Sequence, residues 1–168
     1  MTILQSTSDE ATEMLGRVLA GLLHFGMVVA LHGDLGAGKT VLSRGIARGL
    51  GVTEAVTSPT FTVAQEYELS EQRYFYHLDM YRIDDEEAAL AFGIDEFLFS
   101  PQAITVVEWP ERIRGLLPER PELLNLQLRH LDEENRIVLV PAKFSQALLS
   151  AGLPEGIVCL PVQEEVKC

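Results

Sequence analysis

Cysteine is scarce in this chain of 168 residues: Cys159 and Cys168 are its two thiols, and both fall in the last ten positions. A pair bunched in this way staples no framework and lacks zinc spacing, so a disulfide scaffold and a zinc module are excluded and a reducing, cytoplasmic setting is predicted. Long apolar runs are missing too. None exceeds five residues, Met27–Leu31 being one, and no Lys or Arg precedes Arg17. The pattern predicts neither a secretory signal nor a membrane span. Basic charge is the third shortage, with 13 Lys+Arg against 25 Asp+Glu and a net charge of −12. A surface this acidic repels phosphate backbones and anionic lipid, so any polyanion it handles must be small and locally held.

With 47% apolar residues and no repeat or low-complexity tract, the chain has the composition of one domain with its own core. Thr7-Ser8-Asp9-Glu10 fits a capping box, and Met14, Leu15, Val18, Leu19 and Leu22 recur on one helical face, which predicts a helix from about Asp9 to Leu23. Gly26 to Leu31 reads as a strand buried on both faces. From Lys39 the spacing of Val41, Leu42, Ile46, Ala47 and Leu50 is helical, with Gly49 and Gly51 marking the end.

The period then changes. Phe61, Val63 and Tyr67 alternate with Thr62, Ala64 and Glu66, and Tyr74 to Tyr81 forms a second extended run, which predicts an antiparallel hairpin. Helices are predicted at Asp84–Ala91 and Ile94–Phe99, and a buried strand at Ala103–Val107 that ends on Glu108, Trp109 and Pro110. Leu124, Leu126 and Leu128 turn at Asp132 to Asn135 and return as Ile137 to Val140, a second hairpin expected to close the sheet. Phe144 to Leu149 predicts a helical turn or two, and Gln163 to Cys168 a loose tail.

One motif decides the class. Gly33-Asp34-Leu35-Gly36-Ala37-Gly38-Lys39-Thr40 matches G-x-x-x-x-G-K-[ST] at every fixed position, after a strand and before a helix. The glycines let the loop curl so that its N–H groups converge on a phosphate chain, and the helix that follows adds its positive end. Lys39 would reach the β- and γ-phosphates and the Thr40 hydroxyl would ligate Mg²⁺, with Val41 continuing the nucleotide-binding segment. The fold expected is α/β, a P-loop NTPase-like three-layer sandwich whose mixed sheet includes antiparallel hairpins. Its domain would span residues 1–141, and 142–168 would be a C-terminal extension of unknown role.

The nucleotide expected is ATP, because no N-K-x-D exists and Asp79 is followed by Met80, Tyr81 and Arg82 rather than by a D-x-x-G. A second Mg²⁺ carboxylate should end a buried strand. Asp79 and Glu108 both qualify, and spacing does not rank them. His77 shares a strand face with Asp79 by period two, where a structural histidine is the ordinary occupant. Thr57-Ser58-Pro59-Thr60-Phe61 stands where a nucleotide-sensing switch would lie, with the Ser58 and Thr60 hydroxyls available to a γ-phosphate or its metal. Arg82 is the only candidate arginine finger, so slow turnover is expected of the chain alone. Arg112, Arg114 and Arg120 cluster on a predicted surface helix.

Taken in order, Gly33–Thr40, then Ser58-Pro59-Thr60-Phe61, then His77-Leu78-Asp79-Met80-Tyr81-Arg82, then Glu108-Trp109-Pro110-Glu111 resemble the TsaE (YjeE) family, the bacterial ATPases of tRNA threonylcarbamoyladenosine biosynthesis. The resemblance runs over roughly residues 7–140. It implies an ATPase working with the partner proteins TsaB and TsaD in threonylcarbamoyl transfer to adenosine 37 of tRNA. It further implies Thr40 and Glu108 as Mg²⁺ ligands, Asp79 as support for the metal or the attacking water, Thr60 in a switch and Trp109 near the nucleotide. A small-molecule kinase and a nucleotide-gated binding module without required hydrolysis are the alternatives. Residues 66–122 carry 14 acidic and 5 basic groups and so hold most of the negative charge. That face suits a basic protein partner, and contact with tRNA would be indirect.

Overall fold

Four strands run parallel at the centre of the molecule, and everything else is arranged around them. The computed structural model describes residues 1–119 and 121–161. Its elements are β1 (Thr2–Ser6), α1 (Asp9–Ala20), β2 (Val28–His32), α2 (Lys39–Gly49), β3 (Ala64–Ser70), β4 (Arg73–Asp79), α3 (Glu86–Ala91), α4 (Ile94–Leu98), β5 (Ala103–Glu108), a 3-10 segment (Pro110–Leu116), β6 (Leu123–His130), β7 (Arg136–Val140), α5 (Ala142–Ala151) and β8 (Ile157–Leu160).

The eight strands form one sheet in the order β3-β4-β5-β2-β6-β7-β1-β8. Pairs β4–β5, β5–β2 and β2–β6 are parallel, and the outer pairs are antiparallel. A sheet buried on both faces must sort alternate side chains into two cores. Val29, Leu31 and Val106 pack with α1, α2 and α5, whereas Val28, Leu78 and Val107 pack with α3, α4 and the 3-10 segment. The result is a three-layer α/β sandwich with a mixed sheet, as expected. The carboxyl ends of β2, β4 and β5 share one edge, where β2 has parallel neighbours on both sides and a crevice opens for a ligand.

Several boundaries differ from the sequence reading. Ser8, not Thr7, caps α1, its Oγ accepting from the Ala11 N–H at 3.0 Å, and the helix stops at Ala20 rather than Leu23. Phe61 to Val63 are a turn, not strand: the Val63 N–H donates to the Pro59 carbonyl at 2.7 Å, and Val63 has φ +65°. The β3–β4 hairpin itself stands. Glu71 and Gln72 at its tip both have positive φ, which a two-residue turn between twisted strands demands. β4 ends at Asp79 instead of Tyr81 because the Asp79 carboxylate captures the Tyr81 N–H at 2.9 Å.

The β6–β7 hairpin forms but does not close the sheet. β7 goes on to pair with β1, and β1 with β8, two strands too short for their alternation to register in the sequence. The helix foreseen at Phe144–Leu149 runs over ten residues, and its Phe144 and Leu148 join the core that contains Leu4 and Leu15. Arg112 and Arg114 lie on the 3-10 segment rather than on an α-helix. Arg120 and the predicted tail at 163–168 lie outside the described residues. Among the described residues no helix is long and apolar enough to cross a membrane.

Candidate functional site

The loop between β2 and α2 occupies the crevice. Gly38 precedes the first helical residue with φ +96°, a conformation that favours glycine, and an added Cβ would meet the Arg136 side chain at 2.7 Å. Among the described residues no side chain caps α2, so the N–H groups of its first turn are left for a ligand.

Lys39 is buried, and its Nζ donates to two carbonyls of its own loop, Gly33 at 2.6 Å and Asp34 at 2.8 Å, while lying 3.8 Å from the centre of the Trp109 ring. Burial pushes the ammonium below its ordinary pKa. The carboxylates of Glu108, Glu111, Asp79 and Asp34 oppose that shift by favouring the charged form. Trp109 has φ +59° and packs its ring 5.0 Å from that of Tyr81. A bulky residue held there signals that the surrounding contacts over-determine it.

The two carboxylates that the sequence left unranked take different neighbours. Sheet order decides this: β5 lies directly beside β2, and β4 one strand further out. Glu108 therefore faces the loop. Its Oε2 accepts from the Thr40 hydroxyl at 3.0 Å, and its Oε1 lies 2.7 Å from His77 Nε2 and 3.4 Å from Ser43 Oγ. Asp79 faces the Ser58–Thr60 turn: its Oδ2 accepts from Ser58 at 2.5 Å and Thr60 at 3.1 Å. The Thr40 hydroxyl at the start of α2 and the Glu108 carboxylate at the end of β5, side by side next to N–H groups that suit phosphate, are donors of the kind that could hold Mg²⁺ together with phosphate oxygens.

These groups line one cleft of about 360 Å³, walled by Leu35 to Val41, Ser58, Thr60, Asp79, Tyr81, Glu108, Trp109 and Arg136. Gly33 and Asp34 are off its wall and serve it through the carbonyls that hold Lys39. His77, expected to be structural, bonds Glu108, and its Nδ1 is buried without a partner among the described residues. Arg136 carries no functional signal in the sequence. It stands beside a hairpin turn, where an arginine ordinarily faces water, and no spacing links it to the loop.

The model of the family described as "Threonylcarbamoyl adenosine biosynthesis protein TsaE" matches residues 6–138. The chain belongs to the TsaE family. A Bacillus subtilis protein called tRNA threonylcarbamoyladenosine biosynthesis protein TsaE is 37% identical over 82% of this chain and 84% of its own. A Haemophilus influenzae protein of the same name is 40% identical over 68% and 70%. The crystal structure of Bacillus subtilis YdiB is similar at a TM-score of 0.69 and 29% identity, covering 90% of this chain and 95% of that one. The fold is P-loop NTPase-like, and the matched span holds the whole glycine-rich loop, both carboxylates, His77, Trp109 and Arg136.

Proposed function

We propose that this TsaE-family chain binds and hydrolyses Mg-ATP in support of a TsaB/TsaD assembly that installs threonylcarbamoyl on adenosine 37 of tRNA. The observation that carries the reading is the 3.0 Å approach of Thr40 Oγ1 to Glu108 Oε2 in the cleft that also presents Lys39 and Asp79. The residues suit a magnesium nucleotide. The Gly38 turn opens the first-turn N–H groups of α2, and Lys39 rests on two carbonyls from which an incoming phosphate can draw it.

In this reading the N–H groups at Gly36 to Thr40 cradle the phosphate chain, Lys39 neutralises its outer charge, and Thr40 with Glu108 holds the metal. Mg²⁺ would polarise the outer phosphate and offset the charge that develops there. His77 and Ser43 fix the Glu108 carboxylate by hydrogen bonds to Oε1 and leave Oε2 for the metal edge. Asp79, anchored by Ser58, Thr60 and the Tyr81 N–H, would orient the attacking water and sense the outer phosphate through the turn.

Arg82, the expected finger, lies over the exposed Phe61 ring at 4.4 Å and is absent from the cleft wall, which supports slow turnover without partners. A kinase lid is not favoured, since Arg114 lines a separate hollow with His32 and Leu117. The acidic face argues for contact with tRNA only through the partners.

ATP hydrolysis by the chain alone, with TsaB and TsaD, and with Lys39→Ala tests the reading. Slow turnover that rises with the partners and disappears in the variant is expected. Turnover indifferent to both would overturn it.

A further inference from the structure

Arg136 opens β7, and its side chain is 8% exposed. β7 and β5 lie on opposite sides of β2, so Arg136 and Glu108 flank the glycine-rich loop from two directions. The guanidinium is pinned: Nη2 ion-pairs with Asp9, the first residue of α1, and Nη1 donates to the Glu134 carbonyl at 3.1 Å. Nε is different. It is buried without a hydrogen-bond partner among the described residues, and it packs on Gly38 on the side where a Cβ would stand. The same side chain lines the cleft beside Lys39 and Thr40.

A buried arginine N–H left unpaired is unfavourable, and an acceptor from outside the chain would relieve that cost. Arginine has five donors and no acceptor, in a fork that matches phosphate oxygens. The loop it touches offers α2's free N–H groups to the same chemistry.

We propose that Arg136 is a second basic ligand of the bound polyphosphate, donating from its guanidinium at the Gly38 side of the loop while Asp9 and Glu134 hold it in place. The assignment rests on the Mg-ATP reading above. Because Arg136 flanks the loop on the side away from Glu108 and Asp79, it serves the part of the phosphate chain that ADP and ATP share.

Calorimetric titration of the full chain with Mg-ATP and with Mg-ADP tests this, using inorganic tripolyphosphate as a competing probe without a nucleoside. Arg136→Met should weaken both nucleotides by the same factor, on the order of ten- to a hundredfold, and weaken tripolyphosphate with them. Arg136→Lys, which keeps the charge and loses the fork, should fall between. Unchanged affinities in Arg136→Met overturn the assignment, as does a loss confined to ATP or one that spares tripolyphosphate. Should circular dichroism find Arg136→Met unfolded, Arg136→Lys decides: a shared partial loss supports the proposal and wild-type affinity for both nucleotides overturns it. A wild-type chain that binds neither nucleotide overturns the Mg-ATP reading along with this one, whereas wild-type binding with an indifferent Arg136→Met removes Arg136 alone.

Discussion

Replacing Gly16 by alanine should destabilise the protein, although alanine is the better helix former. Helices α1 and α2 touch backbone to backbone. A Cβ on Gly16 would lie 2.6 Å from the Leu42 carbonyl oxygen, 2.8 Å from Gly45 Cα and 2.8 Å from the Ile46 nitrogen, and a Cβ on Gly45 would run into the Glu13 carbonyl. These nearest atoms are all backbone and not the ends of flexible side chains. Restoring ordinary contact forces the two helices apart by somewhat less than about 1 Å in an interior packed like a crystal. Overpacking of this kind costs about 1–3 kcal/mol, and backbone on three sides sets the upper end. Relief of the glycine penalty returns about 1 kcal/mol. The net loss is about 2 kcal/mol, or a Tm lower by about 4–8 °C at this chain length. Gly21→Ala is the control, since its φ is −67° and an added Cβ meets only the Val18 carbonyl at 3.5 Å. It should be neutral or more stable by up to about 1 kcal/mol. Thermal and urea unfolding of the two variants would read this directly. Gly16→Ala as stable as the wild type, or Gly21→Ala equally damaged, would refute the argument from close approach. Because α2 begins with Lys39 and Thr40, Gly16→Ala should also weaken nucleotide binding from a position with no place in the cleft wall.

Three further outcomes are expected. His77→Phe keeps a ring in the core and removes the donor to Glu108, and should cost about 1.5–3 kcal/mol in urea unfolding; a loss under about 0.5 kcal/mol would mean that the 2.7 Å bond contributes little. Burial lowers the Lys39 pKa beneath 10.5 in the free cleft, and a bound phosphate favours the ammonium. ATP affinity should therefore hold at neutral pH and fall as pH rises through the lowered value, sooner than for an exposed lysine; affinity that stays flat up to pH 10.5 would contradict this. Leu148→Ala, fully buried in α5, should cost about 2–5 kcal/mol, and a neutral result would show that α5 adds little to the core.

Much of this protein is local chemistry and is legible one segment at a time. The glycine spacing of Gly33 to Thr40 between an apolar strand and an amphipathic helix determines a phosphate-type loop without reference to the rest of the chain. Apolar runs ending on Asp79 and Glu108 likewise mark strand ends, because a charge cannot continue a strand buried on both faces. Alternation reveals the two hairpins, while β1 and β8 leave no such signal, since five and four residues hold too few periods to stand out.

Tertiary structure alone decided how those pieces share a site. Which carboxylate meets Thr40 depends on β5 lying next to β2, a pairing between residues more than seventy positions apart that no local signal encodes. His77 acquires its role because β4 pairs with β5 and brings it to Glu108. Arg136 reaches Gly38 across the intervening strand β6 and binds back to Asp9. Sequence periodicity reports what each segment buries; strand order, settled by the packing of the whole, determines which charges meet.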